Sequence, residues 1–232
     1  MDLFSDSNDV QTLRDRFIPI LGAWASVLNT NTLERLKTTL SLISKDSENN
    51  IVYPDRKDIL KLFREISPNN IRVVVIGQDP FHNGNANGYS FGCKLNVTPS
   101  LKQIIDSMKK SVPTTNIKKD IGLQYLANQG VFLLNTILSV RAGNPLSHNN
   151  LGWQSFTTDV VKYIQSQPNI VWLLWGSKAK EYEKYIINPT NFIIEDTHPV
   201  SASYNNKDWN SKCFVECNNI LKEKNLKEIV WL

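Results

Sequence analysis

Four short apolar runs constrain this chain more than any other feature: Ile71–Ile76, Val131–Leu134, Ile170–Leu174 and Phe192–Ile194. None alternates with polar residues. A strand with one wet face alternates at period two, so these runs describe strands covered on both faces. The segments between them carry apolar residues at helical spacing. Leu33, Leu36, Leu40 and Ile43 follow an Asn31/Glu34 pair that reads as a capping box. Pro54 is expected to open a second helix with Ile59, Leu60, Phe63 and Ile66 on one face, and residues 100–108, 153–165, 177–186 and 211–222 extend the pattern. Strands alternating with helices give an α/β fold class: three layers, α/β/α, around a central, mostly parallel four-stranded sheet. No linker, repeat or low-complexity tract divides the 232 residues, which suit one domain over 1–232 with residues 1–50 as its helical N-terminal part.

Each run ends in polar residues. The first gives Gly77-Gln78-Asp79, the second Asn135-Thr136 and the third Gly176-Ser177. The fourth leads through Glu195-Asp196 to Thr197-His198-Pro199. Open parallel sheets bind ligands outside the carboxyl ends of their strands. The pattern therefore predicts one rim carrying an acid (Asp79), an amide (Asn135), a hydroxyl (Ser177) and an imidazole (His198).

Several chemistries do not fit that set. One Asp and one His fall short of a zinc cage. Cys213 and Cys217 are four apart, which suits one helix face, but no histidine stands near them in sequence, and three cysteines make no disulfide framework. The phosphate-cradling Gly-x-x-x-x-Gly-Lys-[Ser/Thr] pattern is absent. A Ser177-His198-Asp79 relay lacks a nucleophile elbow. No metal and no organic cofactor are expected. The MDLFSDSNDV opening is acidic and unlike a secretory signal, and no apolar stretch reaches the ~18 residues of a membrane span. An intracellular protein, cytoplasmic or nuclear rather than secreted, is expected. A net charge of +4 permits a polyanionic partner without requiring one. What remains is a site for a small planar polar ligand, with Phe81 and Phe91 to pack a ring and the Asn135 amide to read a base edge.

The same stretches resemble the signatures of family-1 uracil-DNA glycosylases. Gly77-Gln78-Asp79-Pro80-Phe81-His82 is similar to that family's GQDPYH. In the family's order follow Thr98-Pro99-Ser100-Leu101, then GVFLLNTILSVRAG with its Ser-His and GWQSFT, then WLLWGSKA, Thr197-His198-Pro199 and the terminal IVWL. With YPDRKDILKLF before the signature, the resemblance runs from Tyr53 to Leu232.

The resemblance implies a monofunctional enzyme that flips uracil from single- or double-stranded DNA and hydrolyses its N-glycosidic bond. It assigns Asp79 to the attacking water and the developing sugar cation, and His198 to uracil O2. It places Gln78, Phe81, Phe91 and Asn135 around the base, with Asn135 on O4 and N3–H. Cytosine reverses both of those partners, and each unsatisfied buried group costs about 1–3 kcal/mol. Phe91 stacks on the base, and Phe81, where the family has tyrosine, blocks the thymine methyl. Ser100, Ser177 and Ser203 grip phosphates, His148 braces the site or nears the DNA backbone, and His82 braces the Asp79 loop. A monomer without membrane contact is expected; the sequence specifies no protein inhibitor or replication partner.

The departures cluster after His198. Where the family continues Ser-Pro-Leu-Ser, this chain has Val200-Ser201-Ala202-Ser203. The family's intercalating leucine aligns with Ala202, whose methyl cannot fill the gap left by a flipped base. Tyr204 is the candidate substitute, and a stronger preference for single-stranded or mismatched uracil is expected. Two other classes stay open on sequence alone: a glycosylase-fold DNA-binding or replication scaffold, and a metal-dependent α/β nucleotide hydrolase.

Overall fold

The computed structural model describes residues 10–112, 120–205 and 207–232; the acidic opening segment, residues 1–9, lies outside them. Three helices come first: α1 (Val10–Leu21), α2 (Trp24–Val27) and α3 (Thr30–Asp46). Next are β1 (Val52–Tyr53), α4 (Lys61–Glu65), β2 (Val73–Gly77), α5 (Pro99–Ser111) and α6 (Gln124–Ala127). Then follow β3 (Val131–Asn135), β4 (Val140–Arg141), α7 (Trp153–Gln165), β5 (Val171–Trp175) and α8 (Ser177–Lys180). The last are β6 (Phe192–Asp196), α9 (Pro199–Tyr204) and α10 (Cys213–Glu223).

The four apolar runs become one parallel sheet in the order β3-β2-β5-β6. Every residue of β3 and β5 is buried, so helices cover both faces, as non-alternating runs require. Phe63 packs edge to face against both Trp24 and Phe132 of β3, and Trp24 Nε1 donates to the Ile66 carbonyl at 2.8 Å. The chain leaves β2 for β3 on one side and returns to β5 on the other. That reversal opens a crevice at the carboxyl ends of the central strands. Register aligns the exits, with Gly77 opposite Asn135 and Trp175 opposite Asp196.

Some local expectations are corrected. The cap of α3 is Asn29, not Asn31. Its extended backbone (φ −73°, ψ 161°) lets Oδ1 accept the Thr32 N–H at 2.9 Å, and Asn31 falls inside the first turn. Pro54 opens no helix: residues 56–60 form turns and α4 starts at Lys61. The reason is tertiary. The Asp58 carbonyl presses so close to Gly88 that a Cβ there would lie 2.4 Å from it. Ile59, Leu60, Phe63 and Ile66 are buried all the same. The expected helix over 177–186 breaks into α8 and a separate 3-10 turn at Glu183–Tyr185. Cys213 and Cys217 share the inner face of α10 as buried free thiols, and burial pushes the Cys213 thiol up to about 12.

Candidate active site at the carboxyl rim of the sheet

A cavity of about 190 Å³ sits in the crevice. Gln78, Asp79 and Phe81 reach it from the loop after β2, Asn135 from the end of β3, and His198 from the turn after β6. Phe91 closes it from the glycine-rich loop, and Ser100, in the first turn of α5, also lines it. A larger cavity, about 750 Å³, lies between α1, α3 and residues 50–64. It gathers no comparable set of acid, amide and imidazole, so the smaller cavity is the chemically equipped one.

Close backbone approach builds this cavity. A Cβ on Gly77 would lie 2.3 Å from Asn135 Oδ1, so only glycine lets the amide cross the end of β2. Gly176, at φ 83°, plays the same part for His198, whose Cβ would be 2.8 Å from a side chain there. Phe91 is a non-glycine residue at φ 62°, a conformation that persists only when its surroundings fix it. They do: the Ser90 N–H donates to the Leu133 carbonyl at 2.9 Å, and the Phe91 ring packs at 5.4 Å from Trp175 and 5.7 Å from His198.

Electrostatics set the two titratable groups. Burial raises the Asp79 pKa above the usual aspartate value, opposed by a 2.8 Å hydrogen bond from the Leu146 N–H to Oδ2. Burial lowers the His198 pKa. The Val200 N–H donates to His198 Nδ1 at 3.2 Å. The neutral ring therefore carries its proton on Nε2. The cavity offers a poised carboxylate, a neutral imidazole donor, a two-way amide and an aromatic floor.

Not every expected residue lines it. Ser177 follows β5 but is exposed and outside the cavity. Ser203 and Ala202 lie on α9, where Ser203 Oγ accepts Gln103 Nε2 at 3.2 Å and Ala202 packs against the core. Tyr204 ends α9 and is 81% exposed. His82 lines the cavity. His148 is 0% exposed, which removes the reading that it nears the DNA backbone.

The family model for the uracil DNA glycosylase superfamily matches residues 63–222. The chain belongs to this superfamily. A uracil-DNA glycosylase of Aliarcobacter butzleri is 38% identical over 193 residues, 82% of this chain and 90% of that protein. One of Mycoplasmopsis pulmonis is 38% identical over 192 residues, covering 82% and 86%. In fold the chain resembles the mimivirus uracil-DNA glycosylase (TM-score 0.75, 21% identity, 96% of this chain and 89% of that one). A point variant of that mimivirus protein, solved in complex with UGI, gives a TM-score of 0.74 with 96% and 90% covered. The segments that carry Asp79, Asn135 and His198 thus sit inside the matched span, on the rim that the sheet rule selects.

Two contributors escaped the sequence reading. Tyr89 is buried, lines the cavity and donates its hydroxyl to Glu65 beside Gln124, anchoring the loop that presents Phe91. Its place two residues before Phe91 was the available signal. The Leu146 N–H on Asp79 left none, because it is a main-chain group.

Proposed function

We propose that this chain is a uracil-DNA glycosylase of base excision repair, a hydrolase of N-glycosyl bonds, with the whole of 1–232 serving as one catalytic domain. The observation that carries the residue assignments is the convergence of Asp79, Asn135, Phe91 and His198 on one 190 Å³ cavity. Uracil enters flipped out of the stack and lies on Phe91, where base–aromatic stacking supplies about 1–3 kcal/mol. Asn135 donates to O4 and accepts from N3–H. Phe81 and Gln78 close the edge at which thymine carries its methyl.

The C1′–N1 bond then breaks with its electron pair passing to the base. Negative charge gathers at O2, toward which the Nε2–H of His198 donates. The sugar becomes cationic, and the Asp79 carboxylate stabilises it in a partly dry pocket. A water oxygen bonds C1′ and releases its proton toward Asp79. The products are free uracil and an abasic site. None of the assigned residues is a lysine placed to form a Schiff base, so no strand cleavage follows. No step calls on a metal or an organic cofactor.

Outside the cavity, Ser100, Ser177 and Ser203 contact phosphates, which position the strand without reading sequence. Tyr204, at the exposed end of α9, takes the place of the wedge that the small Ala202 cannot supply, and single-stranded uracil, which costs little to extrude, is the easier substrate. The chain acts as a monomer inside the cell. Among the described residues no helix is long and apolar enough to cross a membrane. UGI, bound in the mimivirus structures, is the natural probe for a protein inhibitor. The deciding assay is uracil release from a defined oligonucleotide in the presence of chelator. Release that Asp79→Asn abolishes supports the assignment; absence of chelator-resistant release by the unmodified chain would overturn it.

A further inference from the structure

Asp46 and His148 stand 102 residues apart in sequence and meet at the end of α3. The Asp46 carboxylate, 10% exposed, accepts Arg141 Nε at 2.9 Å on each oxygen and Nη2 at 2.6 Å on Oδ1. His148 Nε2 lies 3.1 Å from the same carboxylate, and its Nδ1 lies 2.8 Å from Ser139 Oγ. Ser139 Oγ in turn accepts Trp153 Nε1 at 2.8 Å. A carboxylate only accepts, so Nε2 carries the ring proton and Nδ1 accepts the Ser139 hydroxyl. Burial lowers the His148 pKa and keeps the ring neutral. The Arg141 hydrogen bonds hold the Asp46 carboxyl below the usual aspartate value.

None of these side chains lines the cavity. A buried polar network is not in itself a good stabiliser, since well-packed apolar residues often serve as well. Its placement is more telling. Arg141 and His148 are the two ends of one loop, and Asp46 holds both. Between them the Leu146 N–H donates to Asp79 Oδ2 at 2.8 Å, and the Gly143 N–H donates to the His82 carbonyl at 2.9 Å. Ser147 Oγ accepts the Arg141 N–H at 2.8 Å and tightens the loop further. Leu146 sits at φ 61°, a left-handed backbone that a leucine holds only under outside constraint.

We propose that Asp46, with Arg141 and His148, is the positioning unit for the Asp79 carboxylate. It clamps both ends of the loop so that the Leu146 N–H fixes one carboxylate oxygen and, through the side-chain rotamer, the position of the other. The inference rests on the reading of Asp79 as catalytic. It places a positioning residue of this enzyme in its N-terminal helical part, before the first of the glycosylase motifs and 33 residues ahead of Asp79.

Single-turnover uracil release by the full chain tests it, with Asp46→Asn, Arg141→Lys, Asp79→Asn and the Asp46→Asn/Asp79→Asn double variant. Asp46→Asn should lower kcat about 10- to 100-fold, the scale of a misplaced catalytic group, with KM for the oligonucleotide unchanged. In the Asp79→Asn background the same change should cost little more, because both act through one carboxylate. Arg141→Lys keeps the charge but loses the fork; it should show a smaller loss of the same kind, and it carries the test if thermal unfolding shows Asp46→Asn to be misfolded. Wild-type kcat in both Asp46→Asn and Arg141→Lys, beside a crippled Asp79→Asn, would overturn the unit. So would losses that multiply in full in the double variant. A fully active Asp79→Asn would instead remove the reading beneath the proposal, and the proposal with it.

Discussion

The cavity at the sheet's rim and helix α9 adjoin at His198, which lines the one and caps the other, and are built on opposite principles. In the cavity the central groups, Asn135, His198 and Phe91, are fixed by close packing. Gly77 leaves room only for the Asn135 amide, Gly176 leaves room only for the Cβ and backbone of His198, and Phe91 is held in a left-handed backbone by its neighbours. On α9 the departures from the family pattern accumulate, and the largest side chain, Tyr204, stands 81% exposed. Chemistry tolerates little positional error, whereas gripping and wedging a strand can be done by several side chains. Selection of uracil is therefore expected to fail sharply when the cavity is altered, and strand handling to fail gradually when α9 is altered.

The steepest break of that contrast is in the cavity's acid. Asp79→Asn should slow uracil release by about 10²- to 10⁴-fold on every DNA form, the range for a positioned acid–base group. Removing the His198 donor with His198→Leu should cost about 10²- to 10³-fold, the scale of a lost oxyanion donor. Both effects should be equal on single-stranded and paired substrate, as single-turnover rates will show.

Two further changes sharpen the boundary. Phe81→Ala opens the edge that meets a 5-methyl group, and release of thymine from a T-containing oligonucleotide is the expected gain. No thymine release with full uracil activity would mean that another group excludes the methyl. Tyr204→Ala should leave single-stranded release intact and slow release from an A·U pair, because flipping from a duplex costs a few kcal/mol and from a single strand little. Equal losses on both forms would move Tyr204 out of the wedge role.

The smallest effect is on pH and stability. The Asp79 pKa is raised in the fold, so its ionised fraction falls at a higher pH than for a free aspartate, and the acid limb of uracil release should lie above the usual aspartate value. A carboxyl whose folded pKa exceeds its unfolded one favours the fold below the unfolded pKa, and that contribution is lost as pH rises through the folded pKa. Asp79→Asn should accordingly raise Tm at neutral pH, with the gain shrinking in acid. A thermal melt at two pH values reads this directly, and an unchanged Tm at neutral pH would show the ionised carboxylate to be fully compensated.

The parts legible in sequence are those set by burial on both faces or by strand ends. Val131–Asn135 and Val171–Trp175 read as covered strands because nothing polar interrupts them, and Asp79, Asn135 and His198 read as rim residues because they follow such strands. The misread parts depend on contacts distant in sequence. The turn at 56–60 is shaped by Gly88, and the cap of α3 turns on which of two nearby asparagines is extended. The Asp46–His148 pairing spans 102 residues of chain, and the Leu146 N–H has no side-chain signature at all. Tyr204 drew notice only because a neighbour, Ala202, was too small for its aligned role.

One experiment bears on the division most directly: single-turnover release of uracil from a single-stranded oligonucleotide, with chelator present, by the unmodified chain, Tyr204→Ala and Asp79→Asn. The cavity-centred mechanism predicts that Tyr204→Ala matches the unmodified chain while Asp79→Asn is slower by at least about 100-fold. An Asp79→Asn rate equal to that of the unmodified chain would contradict it.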